Sequence, residues 1–465
     1  MRYQDGKVKD IKIAYIGGGS RGWAWRLMAD LAIEEQLSGK MILYDIDRVA
    51  AEKNAIIGNN ITNKPQCRGI WKYETADTLE EALLNADFVI ISILPGTFNE
   101  MEYDVHTPEE FGILQSVGDT VGPGGIVRAL RTLPMYVPIA ESIKKNCPDA
   151  WVINFTNPMS MCVKVLYHIF PQIKAFGCCH EVFGAQKMLC RIVEETFGIE
   201  RVGRTDIHTN VIGINHFTWL ESASYKGINL FPVYKNYIQE HPKKLPVDVS
   251  IPRKQRPLAD RNRVKFDLFE RYGWIAAAGD RHLVEFMPGN EYLLNRDTVR
   301  DNYFQLTPVS ARKRELVKRL ERSEKLVRGE EAVELKASGE EGVRLIKALC
   351  GLTRCISNVN LPNVGQISNV AFGAVVETNA VFSRDKIVPV CAGSLKREIN
   401  NLMKPHIANQ EAILQAAMKC DFEAAVHAMC NDPNTKAKCK EEQIRKMLSE
   451  MLTGTKAYLP ERWFI

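Results

Sequence analysis

What this 465-residue sequence lacks excludes several classes of protein. No apolar run approaches the roughly 18 residues that a membrane helix needs. The longest, Phe88 to Leu94, contains a serine and reads as a buried strand. The first ten residues are polar and hold no apolar signal core, so a secretory leader is not expected. An excess of one charge is also missing. The 61 basic residues are met by 56 acidic ones, a net charge of +5, too balanced for a clustered basic nucleic-acid surface. The twelve cysteines include no Cys-x-x-Cys pair and no regular spacing, so they read as reduced thiols of a cytoplasmic protein. There is no internal repeat and no low-complexity tract. With 45% hydrophobic and 25% charged residues, the composition is that of a globular chain, neither disordered, collagenous nor membrane-embedded.

The length predicts two or three domains. Up to about residue 190, short apolar runs alternate with helical patterns. Ile11 to Ile16, Met41 to Tyr44, Phe88 to Leu94, Trp151 to Phe155 and Ile173 to Gly177 are predicted strands. Trp23 to Leu37 and Ile126 to Lys145 are predicted helices between them. This alternation predicts a parallel, doubly wound α/β sheet. Beyond residue 200 the pattern changes, with strands expected over Thr205 to Ile214 and Trp219 to Tyr225. Residues 241–263 carry four prolines and many Lys and Arg, which predicts a long solvated loop or lid. Residues 311–349 and the last 60 read as helices, the former exposed. We expect a nucleotide-binding domain over 1–200 and an α+β domain over 201–465.

The strongest local motif follows the first strand. Gly17-Gly-Gly-Ser-Arg-Gly22 fits G-x-G-x-x-G between a strand and a helix. Gly17 permits the tight turn, Gly19 lets the backbone approach a pyrophosphate, and Gly22 allows close helix packing. Asp45 ends the second strand where an acceptor for a ribose hydroxyl belongs, and its charge favours NAD over NADP. The alternative is a glycine-rich turn without a ligand.

Further polar clusters follow later strands. Asn154 and Asn157, in Asn154-Phe-Thr-Asn-Pro158, stand where dinucleotide enzymes place nicotinamide and substrate contacts, or simply form an Asn-Pro turn. Cys179 and His216 are good transition-metal donors, and two protein ligands leave positions open for substrate oxygens. Taken singly, each also reads as an ordinary core thiol or a structural histidine. A Cys178–Cys179 disulfide would be strained and out of place in the cytoplasm. Asp119, in a glycine-rich loop, is a helix cap or a site acid. Tyr272 to His282 suggests a loop entering a cleft, or a surface ion-pair cluster.

Together these segments resemble glycoside hydrolase family 4, the NAD- and metal-dependent glycosidases. The likeness spans nearly the whole chain and includes Ile16 to Ser20, Gly118 to Gly125, Asn154 to Pro158, Cys179 to Val182, Gly213 to Phe217, Gly279 to Val284 and Asn363 to Asn369. The tetrad Cys179-His-Glu-Val182 is similar to that of the α-galacturonidase subgroup. The resemblance implies a Rossmann-type sheet with a second domain of the lactate and malate dehydrogenase type. It implies NAD held by Gly17, Gly19, Ser20, Gly22, Asp45 and Asn157, and a divalent metal, usually Mn²⁺, on Cys179 and His216. Ligand softness alone would favour zinc there. It further implies that Asn154 contacts substrate near the metal, that Asp119 binds sugar hydroxyls, and that His180 bears on substrate or leaving group. Asp280 is the expected base, with Tyr272 in reserve. A uronate carboxylate asks for an arginine, and Arg281 and Arg263 are the candidates. The implied chemistry is oxidation at C3, loss of the C2 proton, elimination of the leaving group, water addition and re-reduction, a listed exception to two-carboxylate glycosidases. A homo-oligomer is expected. The competing readings are an α-glucuronidase or α-galactosidase of the same family and mechanism, a simple NAD-dependent 2-hydroxy-acid dehydrogenase, and a non-catalytic NAD-binding regulator.

Overall fold

The computed structural model describes residues 1–248, 250–252 and 255–465. The described residues hold fourteen strands, numbered in chain order. The larger sheet holds β1 (Arg2–Gln4), β2 (Lys7–Ile16), β3 (Leu37–Tyr44), β4 (Ile70–Thr75), β5 (Phe88–Ile91), β6 (Trp151–Asn154) and β7 (Lys174–Gly177) from the first half of the chain. The smaller sheet holds β8 (Ile207–Ile214), β9 (Phe217–Tyr225), β10 (Ile228–Asn229) and β11 (Ile275–Ala276). Returning to the larger sheet, β12 (Cys355–Pro362), β13 (Val375–Ser383) and β14 (Lys386–Pro389) extend its edge.

The order β4-β3-β2-β5-β6-β7 is parallel throughout. This is the doubly wound Rossmann order, with its switch point between β2 and β5. Strands covered on both faces read as unbroken apolar runs, and all four residues of β5 are buried. One face packs against the helices Gly122–Asn146, Met159–Ile169, Arg397–Lys419 and Glu441–Gly454. The other packs against Trp23–Ile33, Arg48–Thr62 and Gly342–Leu349.

Several boundaries differ from the sequence-based expectation. The first helix stops at Ile33 rather than Leu37, because Glu34 turns extended and Leu37 already begins β3. The strand expected to reach Leu94 ends at Ile91. There the Ser92 N–H still bonds to Ile16, but Pro95, close behind, cannot donate to a ladder. The helix over Gly122–Asn146 begins earlier than Ile126, with Pro123 in its first turn, where the missing N–H costs nothing. Residues 311–349 supply two helices, Val309–Arg328 and Gly342–Leu349, but only the first is largely exposed.

The strands β12 to β14 were not foreseen. Strand β12 joins β7 antiparallel at Asn360 and Gly177, so chain from beyond residue 350 completes the first sheet. The two halves of the chain thus share one sheet and one set of covering helices. Within the Pro-rich stretch, Val249, Arg253 and Lys254 lie outside the described residues. The rest forms turns and the short helix Ala259–Arg261 before a regular helix begins at Arg263. No helix among the described residues is long and apolar enough to cross a membrane.

Candidate active site

The glycine loop lies at the carboxyl end of β2, against β5. Gly17 has φ +88°, and a Cβ there would fall 2.1 Å from the Ser92 carbonyl oxygen, so only glycine fits. The Gly17 and Gly18 N–H groups both donate to the Tyr44 carbonyl at 2.9 Å. Gly19 donates its N–H to Asp45 Oδ2 at 2.8 Å, and Asp45 Oδ1 accepts from the Asp47 N–H. A side chain at Gly19 would press on that same carboxylate, 2.9 Å away. Ser20 closes the turn by donating its N–H to Gly17. Gly22 then starts the helix Trp23–Ile33 without a side-chain cap. Bare N–H groups at a helix start, beside a backbone stripped of Cβ atoms, fit a pyrophosphate.

Two asparagines follow β6. Asn154 is fully buried; its Oδ1 accepts from the Tyr136 hydroxyl at 2.6 Å and its Nδ2 donates to the Thr156 carbonyl. Its amide therefore shapes the loop from within. Asn157 precedes a cis proline, and its carbonyl accepts from Arg128 Nε. The Asn157 Oδ1 is buried with no hydrogen-bond partner in the protein, as expected of an atom awaiting a ligand.

Three distant segments meet at the same end. His216 sits at the tip of the β8–β9 hairpin, in a left-handed conformation with φ +65°. A non-glycine residue held there costs of order 1–3 kcal/mol, and such residues cluster at functional sites. His282 comes from the short helix Asp280–Leu283, and Asp119 from the loop before the helix Gly122–Asn146. The ligand atoms of Asp119, His216 and His282 all lie within 4.8 Å of one another. Burial, reinforced by the neighbouring His282, pushes His216 down to about 3, so its ring is neutral. Burial would raise the Asp119 carboxyl, but His282, His216, Arg128 and Arg312 outweigh it and hold it well below the usual carboxylate range. Thr120 Oγ1 lies 2.8 Å from Asp119 Oδ1 and 2.8 Å from His216 Nδ1. A proton on Nδ1 donated to Thr120, which in turn donates to Asp119, leaves Nε2 as a lone-pair donor. His282 Nδ1 is buried with no hydrogen-bond partner in the protein. A neutral His216 imidazole, a held carboxylate and the unpartnered ring nitrogen of His282 fit a divalent cation.

Cys179 stands apart from this trio but close to it. Its thiol is buried, and burial, with the Glu377 and Glu181 carboxylates, pushes it well up. The Asn215 side chain, next to His216, hydrogen-bonds it. Glu377 fixes Asn215 in turn, accepting also from Asn358 and Asn360. A thiol so placed ionises only with help, which a bound cation supplies.

The remaining expected residues divide. His180 is half-exposed beside Trp23, with its Nδ1 3.9 Å from Glu340, on the nucleotide side of the site. Asp280 is 2% exposed; it accepts from Lys265 Nζ at 2.8 Å and from the Val264 N–H at 3.0 Å, which ties the helix Arg263–Tyr272 to the His282 loop. The Tyr272 hydroxyl accepts from Arg271, and its ring packs on Trp219; neither contact reaches the trio. Arg281 donates to Thr307 and accepts at its carbonyl from Ser116. Arg263 is turned inward, bonded to Asp260 and to the carbonyls of His241 and Pro242.

Sequence reasoning did not single out His282, Thr120, Glu181 or Arg312. Glu181 accepts from the Gly279 N–H at 2.6 Å and stands 3.9 Å from His282 Nε2. Burial opposes its charge, but His282, His216 and His180 bring it down to about 2. Arg312 donates to the Val117 carbonyl, while its Nε is buried and unpartnered. The local signals were the segments that hold them: Gly118 to Gly125 for Thr120, Cys179 to Val182 for Glu181, and the polar run ending Gly279-Asp-Arg-His282.

Comparison with known proteins places the chain. The model of the family 4 glycosyl hydrolases matches residues 12–195, and that of the family's C-terminal domain matches 211–435. An alpha-galacturonidase of Lachnoclostridium phytofermentans is 58% identical over 464 residues, covering 100% of both chains. A solved Bacillus subtilis structure, lplD, superposes with a TM-score of 0.89 at 47% identity, covering 96% of this chain and 100% of that one. A 6-phospho-beta glucosidase of Thermotoga maritima, solved with manganese, NAD+ and glucose-6-phosphate, shares the fold at 21% identity and a TM-score of 0.75, covering 97% and 99%. With its nucleotide cradle and its cluster of metal-binding type joined in one chain, the protein belongs to the family 4 glycosyl hydrolases.

Proposed function

We propose that this chain is an NAD- and divalent-metal-dependent α-galacturonidase. The observation that carries the reading is the convergence of Asp119, His216 and His282, with Cys179 alongside, at the end of the sheet that bears the glycine cradle. The family membership and the 58% identity to an alpha-galacturonidase over the full length support it. A simple hydroxy-acid dehydrogenase of the lactate and malate type would need no such metal site.

In this reading Gly17, Gly19, Ser20, Gly22, Asp45 and Asn157 hold NAD. Cys179 and His216, joined by His282 and Asp119, hold Mn²⁺. Held by these residues, the nucleotide would supply hydride uptake and return at C3, and the metal would supply Lewis-acid polarisation of the substrate. The protein's own groups position and move protons. Oxidation at C3 acidifies the C2 proton, and Asp280 takes it. Lys265 orients the Asp280 carboxylate from 2.8 Å. The Tyr272 phenol is engaged by Arg271 and its contacts do not reach the cluster, which favours Asp280, next but one to His282, as the base. His180 borders the sugar and its leaving group, while Asn154, its amide engaged by Tyr136 and Thr156, shapes the loop behind them. A positioned base contributes typically ~10²–10⁴-fold. Arg312, whose guanidinium donates to the Val117 carbonyl, and Arg281, whose guanidinium donates to Thr307, supply the positive charge that a uronate carboxylate needs.

Twelve unpaired cysteines suit the cytoplasm, where we place the enzyme as a homo-oligomer. The decisive assay is a panel of chromogenic α-glycosides with NAD⁺, Mn²⁺ and a reductant. Galacturonide should be cleaved fastest, with solvent deuterium entering C2 of the product. A preference for a neutral sugar would overturn the substrate, and deuterium-free product under slow turnover would overturn the elimination. Full-rate cleavage by NAD-stripped enzyme would overturn the redox role.

A further inference from the structure

Asp119 and His282 come from segments far apart in the chain, yet their ligand atoms meet in one cluster. The two segments are tied by a buried side chain that the chemistry above does not use. Glu285, 1% exposed, follows His282 by three residues. Its Oε1 accepts from the Val117 N–H at 2.8 Å and from the Gly118 N–H at 2.9 Å. Gly118 immediately precedes Asp119. A second tie runs alongside, where Ser116 Oγ donates to the Arg281 carbonyl.

The peptide unit between Val117 and Gly118 is held at both edges. Arg312 donates to its carbonyl, and Glu285 accepts from its N–H. Hydrogen bonds on opposite edges of one peptide polarise each other and fix its plane. The turn there is specific. Gly118 has φ +71°, and a Cβ would fall 3.0 Å from Val105. Keeping a carboxylate in this place is unfavourable in itself. Glu285 Oε2 is buried with no hydrogen-bond partner in the protein. Burial pushes the carboxyl up to about 7, against the pull of the loop N–H groups. A buried carboxylate of this kind, in a cleft beside reactive groups, marks a functional region rather than an ordinary packing position.

We propose that Glu285 is the positioning residue that sets Asp119 and His282 at metal-binding distance from each other. The inference rests on the metal in the function proposed above and adds the residue that shapes its site. Glu285 stands outside the cluster and acts through the Val117 and Gly118 backbone. Without its hydrogen bonds, the loop that carries Asp119 is no longer fastened to the turn that follows His282, and the two ligands drift apart.

The test titrates metal-stripped, full-length protein with Mn²⁺ by calorimetry and with NADH by fluorescence. Glu285→Ala should weaken Mn²⁺ binding by about 10–100-fold and leave NADH affinity within about twofold. Glu285→Gln keeps an acceptor where Oε1 stands, and should restore Mn²⁺ affinity to within about threefold of wild type. Glu285→Asp keeps the carboxylate but shortens its reach by one carbon, and should weaken Mn²⁺ by about tenfold. That variant decides the matter if Glu285→Ala does not fold. Unchanged Mn²⁺ affinity in the deciding variant, equal weakening of Mn²⁺ and NADH, or Glu285→Gln as weak as Glu285→Ala would each overturn the positioning role. Wild-type protein that binds no Mn²⁺ would instead overturn the metal in the proposed function.

Discussion

The imidazole rings of His216 and His282 lie stacked, their centroids 3.8 Å apart and their planes 30° from parallel. At that spacing a charge on the neighbouring ring opposes a charge on His216. Burial acts in the same direction on His216. The stack thus presents lone pairs beside the Asp119 carboxylate and discourages protons from taking the place of a metal ion.

His282 should therefore be needed for the metal although the motif pairing centres on Cys179 and His216. His282→Gln should weaken Mn²⁺ binding by about 10–100-fold, the range lost when a metal's ligand environment is disturbed. Calorimetric titration of metal-stripped protein reads this directly. Unchanged affinity would remove His282 from the site.

Cys179→Ser should abolish glycoside cleavage and leave NAD binding intact, because the thiol borders Asn215 and not the glycine loop. Fluorescence titration with NADH separates the two effects. Undiminished turnover would defeat the role given to the thiol.

The glycine cradle makes a sharper steric prediction. Gly17→Ala places a carbon 2.1 Å from a backbone oxygen at a positive φ, and should cost more than the ~1 kcal/mol of an ordinary incompatible substitution, along with NAD affinity. Gly184→Ala, in the helix Glu181–Phe197 with nothing within 4 Å of the new carbon, should instead stabilise by about 0.5–1 kcal/mol. Urea unfolding of the two variants compares them.

Acid should destabilise the fold partly through His406, which is buried and hydrogen-bonded at Nε2 to the Phe286 carbonyl. Burial holds it below the usual histidine value of 6.5. As pH falls through 6.5, the unfolded chain takes up this proton first, so stability is present above that pH and is lost progressively below it. His406→Gln retains a donor for Phe286 but does not titrate. Its urea midpoint should fall less than that of the wild type between pH 7.5 and 5.5.

Arg312 should report on charge at the sugar. Arg312→Gln should lower kcat/KM for an α-galacturonide by about tenfold or more relative to a neutral α-galactoside, since a charge-assisted hydrogen bond is worth about 1.5–3 kcal/mol. An unchanged ratio between the two substrates would place the carboxylate elsewhere.

The nucleotide half was legible because its signals are local. The strand, the glycine turn, the helix and Asp45 follow one another closely, and each can be read from its neighbours. Boundaries slipped by a few residues where a loop backbone decided them, as at Ser92 and Glu34. The strands β12 to β14 escaped because nothing near them in the chain announces pairing with β7. In the site, Cys179, His216 and Asp280 stood out by residue type and motif. Arg263 carried the right chemistry, yet the structure turns it inward onto Asp260.

Residue order alone thus settled that a dinucleotide cradle would form and which segments carry reactive groups, since turn geometry and strand burial act over short stretches of chain. Which of those groups meet was decided by tertiary packing. The β8–β9 hairpin brings His216, the Gly279 loop held by Glu181 brings His282, and the loop before Gly122 brings Asp119. Their convergence depends on contacts between residues remote in sequence, and no local pattern encodes those.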